Sequence, residues 1–135
     1  MIRIVPLVAL AVLTCACAPE KLPDGLALVV DLHDSAIGVS ATSLPAGRTV
    51  IGVRNAGTEV HELEIFRTDL PADGLPVDAS RQEAKKIEGL VKEIEEISPG
   101  REFTTTVNFR PGSYVLICNV PQHYQRGMHA ALAVR

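Results

Sequence analysis

The stretch that decides the fold is YVLICNVPQHYQRGMHA, residues 114–130. Its beginning, YVLICNV, is apolar on both faces of an extended chain, which is typical of a strand at the centre of a sandwich. A polar loop follows, and MHAALAVR, residues 128–135, predicts a closing strand. Cys118, His123 and Met128 recur here at intervals of five residues. A thiolate, an imidazole and a thioether so close together form a soft set of metal ligands.

Five further strand-like runs precede this stretch and are separated by turn signals. They are LALVVDL (26–32), AIGVSAT (36–42), RTVIGVRN (48–55), EVHELEIF (59–66) and REFTTTVNF (101–109). With the two runs above, they make about seven strands in roughly 110 residues. This pattern predicts an all-β fold, a Greek-key β-sandwich.

One segment, residues 80–97, has a different periodicity. Its Lys and Glu side chains fall opposite apolar residues at helical spacing, which are Ile87, Leu90, Val91, Ile94 and Ile97. Ser80, with Glu83 three residues later, has the pattern of a capping box. We therefore predict one short helical insertion in the sandwich, with a charged face that is simply solvated.

A second histidine lies on the run EVHELEIF. The period of two places His61, Leu63 and Ile65 on one face and Glu62 and Glu64 on the other. His61 thus begins a strand on its core-facing side, where it can meet a loop at the same end of the sandwich.

Two imidazoles, one thiolate and a weak axial thioether are the ligand set of electron-transfer copper sites. We therefore predict that one copper ion, cycling between Cu(I) and Cu(II), binds to His61, Cys118, His123 and Met128. Taken singly, the cysteine is equally consistent with a small buried hydrophobe, the methionine with core filler and His61 with a structural histidine. Their joint spacing favours copper. We expect His129 to be a surface residue and His33 a structural or solvated one.

At these residues the sequence resembles the cupredoxins, the small blue copper proteins. The segment PGSYVLICNVPQHYQRGMHAALAV, residues 111–134, is similar to their C-terminal signature. The segment NAGTEVHELEI, residues 55–65, is similar to the one that provides their first histidine.

The resemblance implies a one-electron carrier rather than an enzyme, since copper enzymes of this superfamily use additional sites and the sequence has no His-x-His pair. It implies that electrons pass through an exposed edge of His123, with Pro121, Tyr124 and Met128 as a docking patch. The expected partners are other redox proteins, such as a cytochrome or a terminal oxidase. The alternative is a periplasmic copper-binding or delivery protein. Such carriers tend to be rich in methionine, whereas this chain has two, one of them the initiator.

Two positions differ from the family pattern. Glu62 follows the first histidine, where relatives often have an asparagine, so we expect backbone N–H groups or Asn119 to support the Cys118 sulfur. Gln122 stands where relatives with a dinuclear centre carry a second cysteine, so we expect a single copper.

The first twenty residues, MIRIVPLVALAVLTCACAPE, predict an export signal, with a positive charge followed by an apolar run. That run is shorter than the roughly 20 residues that a membrane-spanning helix needs. Small residues before a cysteine resemble the lipobox of bacterial lipoproteins, and Ala16 favours Cys17 over Cys15 as the lipidated residue. We expect residues 1–17 to be the signal and lipidation site.

The remaining expectations follow from this assignment. Residues 18–25 are predicted to form a tether and residues 26–135 the copper domain, on the periplasmic side of the cytoplasmic membrane. Of three cysteines, two lie in the signal region, so no internal disulfide is expected and Cys118 is a lone thiol. A net charge of −3 gives no indication of nucleic-acid binding.

Overall fold

A computed structural model of the protein describes residues 21–135. The predicted signal and the lipidation site, Cys17 or Cys15, lie outside the described residues. Within residues 21–135, no helix is long and apolar enough to cross a membrane. The strands are β1 (Leu28–His33), β2 (Ala36–Val39), β3 (Ser43–Leu44), β4 (Gly47–Asn55), β5 (His61–Arg67), β6 (Val77–Asp78), β7 (Glu83–Ala84), β8 (Leu90–Ile97), β9 (Glu102–Phe109), β10 (Gly112–Ile117) and β11 (His129–Val134).

These strands form two main sheets and a small hairpin. The first sheet has the order β2-β1-β4-β9, the second has the order β3-β11-β10-β5-β8, and β6 pairs with β7. Apolar side chains from both main sheets are buried together, among them Leu28, Val30, Ile51, Leu63, Ile65, Leu116 and Leu132. Burying one face of each sheet against the other removes this apolar surface from water, which is the main stabilising contribution. The predicted all-β sandwich is confirmed.

The pairing of three strands brings distant parts of the chain to one end of the second sheet. Strand β10 pairs antiparallel with β5, where Ile117 lies opposite Glu64, and with β11, where Ile117 lies opposite His129. The residue after β10 is Cys118, and the residue that begins β5 is His61. The sheet therefore places both at the same end.

The predicted helical insertion over residues 80–97 is wrong. Residues 80–82 lie in a turn, Glu83–Ala84 form the short strand β7, and Leu90–Ile97 form β8 at the edge of the second sheet. Gly89 precedes β8 with a φ of +95°, and a side chain there would overlap the carbonyl oxygen of Arg67. Glycine inside a helix costs about 1 kcal/mol relative to alanine, so this residue was a sequence signal against the helix.

A β-bulge explains the misleading spacing. Between the pairs made by Ile94 and Ile97, strand β8 has two residues, Glu95 and Glu96, whereas β5 has only Glu62. Glu96 adopts a φ of +53°, as an inserted residue in a bulge can. The extra residue lets Ile97 be buried and Ile94 pack against the core although they are three positions apart. The same spacing along a helix would put them on one face.

The outer face of the second sheet has a core of its own. Residues 68–88 cover this face, and a second apolar cluster is buried there. It consists of Phe66, Leu75, Ala84, Val115, Ile117 and Tyr124. The Tyr124 hydroxyl accepts a hydrogen bond from the Leu75 N–H and donates one to the Ala72 carbonyl, both at 2.9 Å. Glu64, on the polar face of its strand, is consequently only 2% exposed.

Glu64 gives the first prediction, a dependence of stability on pH. Burial raises the pKa of Glu64 from 4.5 to about 7. The folded state therefore binds this proton more tightly than the unfolded state, so the stabilisation is fully present below pH 4.5 and is lost as the pH rises through 7. At pH 8 the Glu64→Gln variant should exceed the original protein in free energy of unfolding by on the order of 2–3 kcal/mol. Urea unfolding of both proteins at pH 4.5 and pH 8 measures this difference. A difference in free energy of unfolding that is the same at both pH values would contradict the prediction.

Candidate metal centre

Three buried side chains converge at the end of the second sheet. His61 begins β5, Cys118 follows β10 and His123 lies in the loop before β11. The Nδ1 atoms of the two histidines are 3.1 Å apart, and the Cys118 Sγ lies 3.7 Å from the Nδ1 of His61 and 3.5 Å from that of His123. The side chains are 0%, 0% and 4% exposed in chain order. Three ligand atoms thus surround one point that water reaches poorly.

Backbone hydrogen bonds hold the loop of residues 118–128, which we call the ligand loop. The Cys118 N–H donates to the Met128 carbonyl and the Met128 N–H to the His123 carbonyl, each at 3.1 Å. Gly127 has a φ of +109°, and a Cβ there would lie 2.9 Å from the Ser35 carbonyl oxygen. The loop is therefore closed at its base and packed tightly on the turn between β1 and β2.

Met128, the fourth predicted ligand, lies at the base of this loop. Its side chain is fully buried and belongs to the same core cluster as Cys118. Its backbone contacts both Cys118 and His123 through the two hydrogen bonds above. The backbone of Met128 thus lies beside Cys118 and His123, and its side chain is excluded from solvent.

The segment that was predicted as a helix supports the ligand loop. The carbonyl of Gln82, in the turn between β6 and β7, accepts a hydrogen bond from the Gln122 N–H at 2.7 Å, and the two side-chain amides pair at 2.7 Å. The Asn119 amide bonds to both backbone groups of Ala84, at 2.8 and 3.1 Å. The β6–β7 hairpin therefore fixes the loop from outside.

A carboxylate lies on the outer nitrogen of each imidazole. The Nε2 of His61 is 3.2 Å from Asp34 Oδ1, and the Nε2 of His123 is 2.8 Å from Glu59 Oε2. Asp34 makes a hydrogen bond with His61, and an ionised carboxylate only accepts hydrogen bonds, so the His61 Nε2 carries the proton. The His61 Nδ1, which faces the His123 Nδ1 and the sulfur, then has a free lone pair.

Burial keeps both imidazoles neutral. It is the largest cause lowering the pKa of His61 below 6.5 and outweighs the opposing hydrogen bond to Asp34. Burial likewise lowers the pKa of His123, and the positive charge of Arg126 acts in the same direction. Neutral imidazoles are the form that binds a metal ion.

The two carboxylates are themselves held in place. Asp34 accepts hydrogen bonds from the Glu59 N–H at 3.1 Å and from the hydroxyl and N–H of Thr58, each at 2.8 Å. These bonds lower the pKa of Asp34 to about 2. Glu59 pairs with Arg126 through contacts of 2.7 and 3.3 Å, which lower the pKa of its carboxyl group. Both groups are therefore ionised at neutral pH.

The Cys118 sulfur accepts a hydrogen bond from the backbone. The Glu62 N–H lies 3.3 Å from the Sγ, and the N–H groups of Glu62 and Val120 lower the thiol pKa against a larger rise due to burial. The Asn119 side chain points to Ala84 instead. Support for the sulfur thus comes from the backbone, which explains how glutamate can occupy position 62.

The donor set fits a soft, redox-active metal ion. Two neutral imidazole nitrogens and one sulfur suit copper in both oxidation states, whereas calcium and magnesium prefer oxygen ligands. In addition, the two Nδ1 atoms lie 3.1 Å apart, a separation at which both can bind the same metal ion at about 2 Å. The residues present therefore fit one such ion.

Comparisons with known proteins agree with the fold. No family model and no curated protein matches the sequence. Among solved structures, auracyanin from the photosynthetic bacterium Roseiflexus castenholzii is 19% identical with a TM-score of 0.55, over 82% of this chain and 99% of that one. Rusticyanin from Thiobacillus ferrooxidans is 17% identical with a TM-score of 0.56, over 80% and 75%. Auracyanin B is 19% identical with a TM-score of 0.52, over 84% and 93%. The chain has the cupredoxin fold.

The prediction of a docking patch around an exposed edge of His123 is largely wrong. His123 and Tyr124 are each 4% exposed and Met128 is fully buried, so only Pro121 of the predicted patch is exposed. Tyr124 is buried because residues 68–88 cover it, and the outer edge of the His123 ring lies behind Glu59. Val60, which lies between Glu59 and His61 in the chain, is an exposed apolar residue.

Among the described residues, the cluster of possible metal ligands consists of His61, Cys118 and His123. The other two histidines of the chain lie outside it. His33 is exposed at the end of β1. His129 is half-buried, and its ring lies 5.5 Å from that of Tyr124.

Sequence reasoning missed Asp34, Glu59 and Arg126. The only local signal was that Glu59 lies two residues before the predicted ligand His61, on a connection between strands.

Proposed function

We propose that this chain is a mononuclear type 1 copper protein that carries single electrons between redox proteins. The convergence of two imidazole nitrogens on one buried sulfur carries this proposal. It is supported by the similarity in fold to rusticyanin, which is described as a copper protein. We assign His61, Cys118, His123 and Met128 as the ligands.

When bound, copper supplies a one-electron couple between Cu(II) and Cu(I). The task of the protein is to keep the donor atoms in one arrangement for both states, since a fixed arrangement limits rearrangement during transfer. His61 and Cys118 are placed by paired strands, and His123 is placed by a hydrogen-bonded loop. Gln122, in place of a second cysteine, supports a single copper.

The burial of the donors supports a carrier over an enzyme. Side chains that are at most 4% exposed have little direct contact with a substrate in solution, whereas an electron can leave through a covered site. The same burial argues against copper delivery, because a delivered ion has to leave the protein readily.

Loading the purified domain with Cu(II) tests the function. We expect one copper per chain, an intense blue thiolate-to-copper band, reversible one-electron reduction and retention of the metal against a chelator. A pale site that gives copper up to the chelator would contradict electron transfer and favour delivery. A site that takes up zinc but no copper would contradict both.

Met128 gives a second prediction, a change in reduction potential. The Met128→Gln variant replaces a soft thioether with a harder amide oxygen, which favours Cu(II) over Cu(I). We therefore expect a lower potential with copper still bound, measured by voltammetry of the loaded protein. A potential equal to that of the original protein would show that Met128 does not bind the metal.

We also propose that the domain is exported and anchored by a lipid on Cys17 to the outer face of the cytoplasmic membrane. The amino-acid pattern of residues 1–17 supports this. Near the end of the proposed tether, the Leu22 N–H donates to the Glu102 carboxylate at 3.1 Å. About four residues of the proposed tether precede Leu22, and they would span roughly 13 Å when extended. The proposed partners are membrane redox proteins such as a cytochrome or a terminal oxidase.

Cell fractionation gives a third prediction, on the anchor. The Cys17→Ala variant should move from the membrane to the soluble periplasmic fraction, because the lipidated residue is lost. The Cys15→Ala variant is the matched control and should stay with the membrane. The opposite result would assign lipidation to Cys15, and membrane retention of the double variant would show that a feature other than a lipidated cysteine holds the chain at the membrane.

A further inference from the structure

Two separate connections of the fold each deliver one carboxylate to the candidate centre. Asp34 lies in the turn between β1 and β2, and Glu59 lies in the connection between β4 and β5. Each contacts the Nε2 of a different imidazole, Asp34 that of His61 and Glu59 that of His123. The arrangement is thus repeated on both histidines by unrelated parts of the chain.

We propose that Asp34 and Glu59 are positioning residues that hold both imidazoles for the metal and lower its reduction potential through their negative charge. The inference rests on the proposed copper function. Hydrogen bonds to the outer nitrogen of a ligating histidine fix its orientation and raise its basicity as a ligand.

The space around Asp34 is shaped for its contact with His61. A Cβ added to Gly57 would overlap Asp34 Oδ1 and lie 2.9 Å from the His61 Nε2. The φ of Gly57 is not in the left-handed region, so glycine is needed here for space rather than for backbone conformation. Thr58 and Glu59 then bind the carboxylate with their backbone N–H groups. The connection after Gly57 therefore wraps the carboxylate that faces His61.

Glu59 connects its histidine to the rest of the ligand loop. One of its oxygens accepts from the Arg126 guanidinium at 2.7 Å and also lies 2.8 Å from the His123 Nε2. Arg126 lies on the ligand loop, so the ion pair joins this loop to the connection before β5. Glu59 covers the outer edge of the His123 ring and is 44% exposed itself.

The direction of the effect on potential follows from charge. Cu(II) has one more positive charge than Cu(I), so a carboxylate bonded to a ligand stabilises the oxidised state more. Because both carboxylates are partly exposed to water, this interaction is screened. We expect neutralising either carboxylate to raise the Cu(I)/Cu(II) ratio at a fixed ambient potential about three- to tenfold, where tenfold corresponds to 59 mV for a one-electron couple.

Voltammetry of the copper-loaded protein tests the charge. Asp34→Asn and Glu59→Gln should each raise the potential while the blue band persists. The control is Asp69→Asn, which removes the same charge from an exposed residue beyond the opposite end of β5, where Thr68 bonds to Ser113. Its potential should stay at the original value. Shifts in the two test variants no larger than in this control would overturn the proposal.

Ring-nitrogen NMR of the metal-free protein tests the positioning without copper. Above pH 7 both His61 and His123 should carry the proton on Nε2. Gly57→Ala, which retains every charge, should disturb this preference at His61 alone, and Glu59→Ala should disturb it at His123 alone. Unchanged ring signals in both variants, or a proton on each Nδ1 in the original protein, would overturn the proposal. If the original protein binds no copper, the proposed function is wrong, but this measurement still shows whether Asp34 and Glu59 orient the two imidazoles.

Discussion

The Cys118→Ser variant is expected to lose the blue thiolate-to-copper band completely after loading with Cu(II). The band needs a sulfur ligand, and a serine hydroxyl is a harder donor that stays protonated at neutral pH. Serine is close in size to cysteine, and its oxygen can accept the hydrogen bond from the Glu62 N–H that Cys118 accepts at 3.3 Å. The variant should therefore fold, which circular dichroism checks, and its loss of colour reports the ligand alone.

Two histidine variants complete this test. His123→Ala removes an Nδ1 that lies 3.5 Å from the sulfur and should also abolish the blue band. His129→Ala changes a histidine outside the cluster and should leave the band intact. A blue Cys118→Ser protein, or a colourless His129→Ala protein that is folded, would show that the ligand assignment is wrong.

The Asn55→Asp variant is expected to lose on the order of 3–5 kcal/mol of stability. The Asn55 side chain is 1% exposed, and its amide NH₂ donates to the carbonyls of Ile97 at 2.7 Å and Glu59 at 2.8 Å. Its oxygen accepts from the Gly57 N–H at 2.9 Å. An aspartate would place a buried, charged oxygen against two carbonyl oxygens, with no donor to satisfy any of them.

Urea unfolding at pH 8 measures this loss. Two further variants separate the effect of the lost hydrogen bonds from that of the added charge. Asn55→Ala leaves the carbonyls without a donor but introduces no charge, so about 2–3 kcal/mol should be lost. Asn108→Asp makes the same chemical change at an exposed position of β9 and should stay within about 0.5 kcal/mol of the original protein. Equal stabilities of Asn55→Asp and Asn108→Asp would contradict the role of the buried amide.

Asn55→Asp should also alter the metal centre, because Asn55 holds the connection that carries Glu59 and leads into His61. The N–H and carbonyl groups that it bonds belong to that connection and to the end of β8. A folded Asn55→Asp protein that is loaded with copper should therefore show a broadened blue band.

Local patterns in the sequence were sufficient for the architecture and for the residues of the cluster. Alternation along β5 placed His61 towards the core because side chains of a strand point alternately to its two faces. Cys118 and His123 are five positions apart, so a single loop determines their separation. Such short-range relations do not depend on the rest of the fold.

Features that arise between distant segments could not be predicted in this way. Asp34 meets His61 across 27 positions, and Glu59 meets Arg126 across 67. The burial of Glu64 and Tyr124 depends on how residues 68–88 cover the sheet. The helix was predicted because a bulge and a helical turn both put apolar residues three apart, and only the neighbouring strand distinguishes them.

The bulged strand β8 has a consequence for how the protein behaves in a crowded compartment. It is one of the two edge strands of the second sheet, and a flat edge strand offers free backbone groups on which another chain can assemble. The irregular backbone at Glu96 and the exposed charges of Glu93 and Glu95 oppose such pairing. The proposed electron carrier would benefit from this, since it has to separate from its partner after each electron and the edge resists both self-assembly and lasting adhesion.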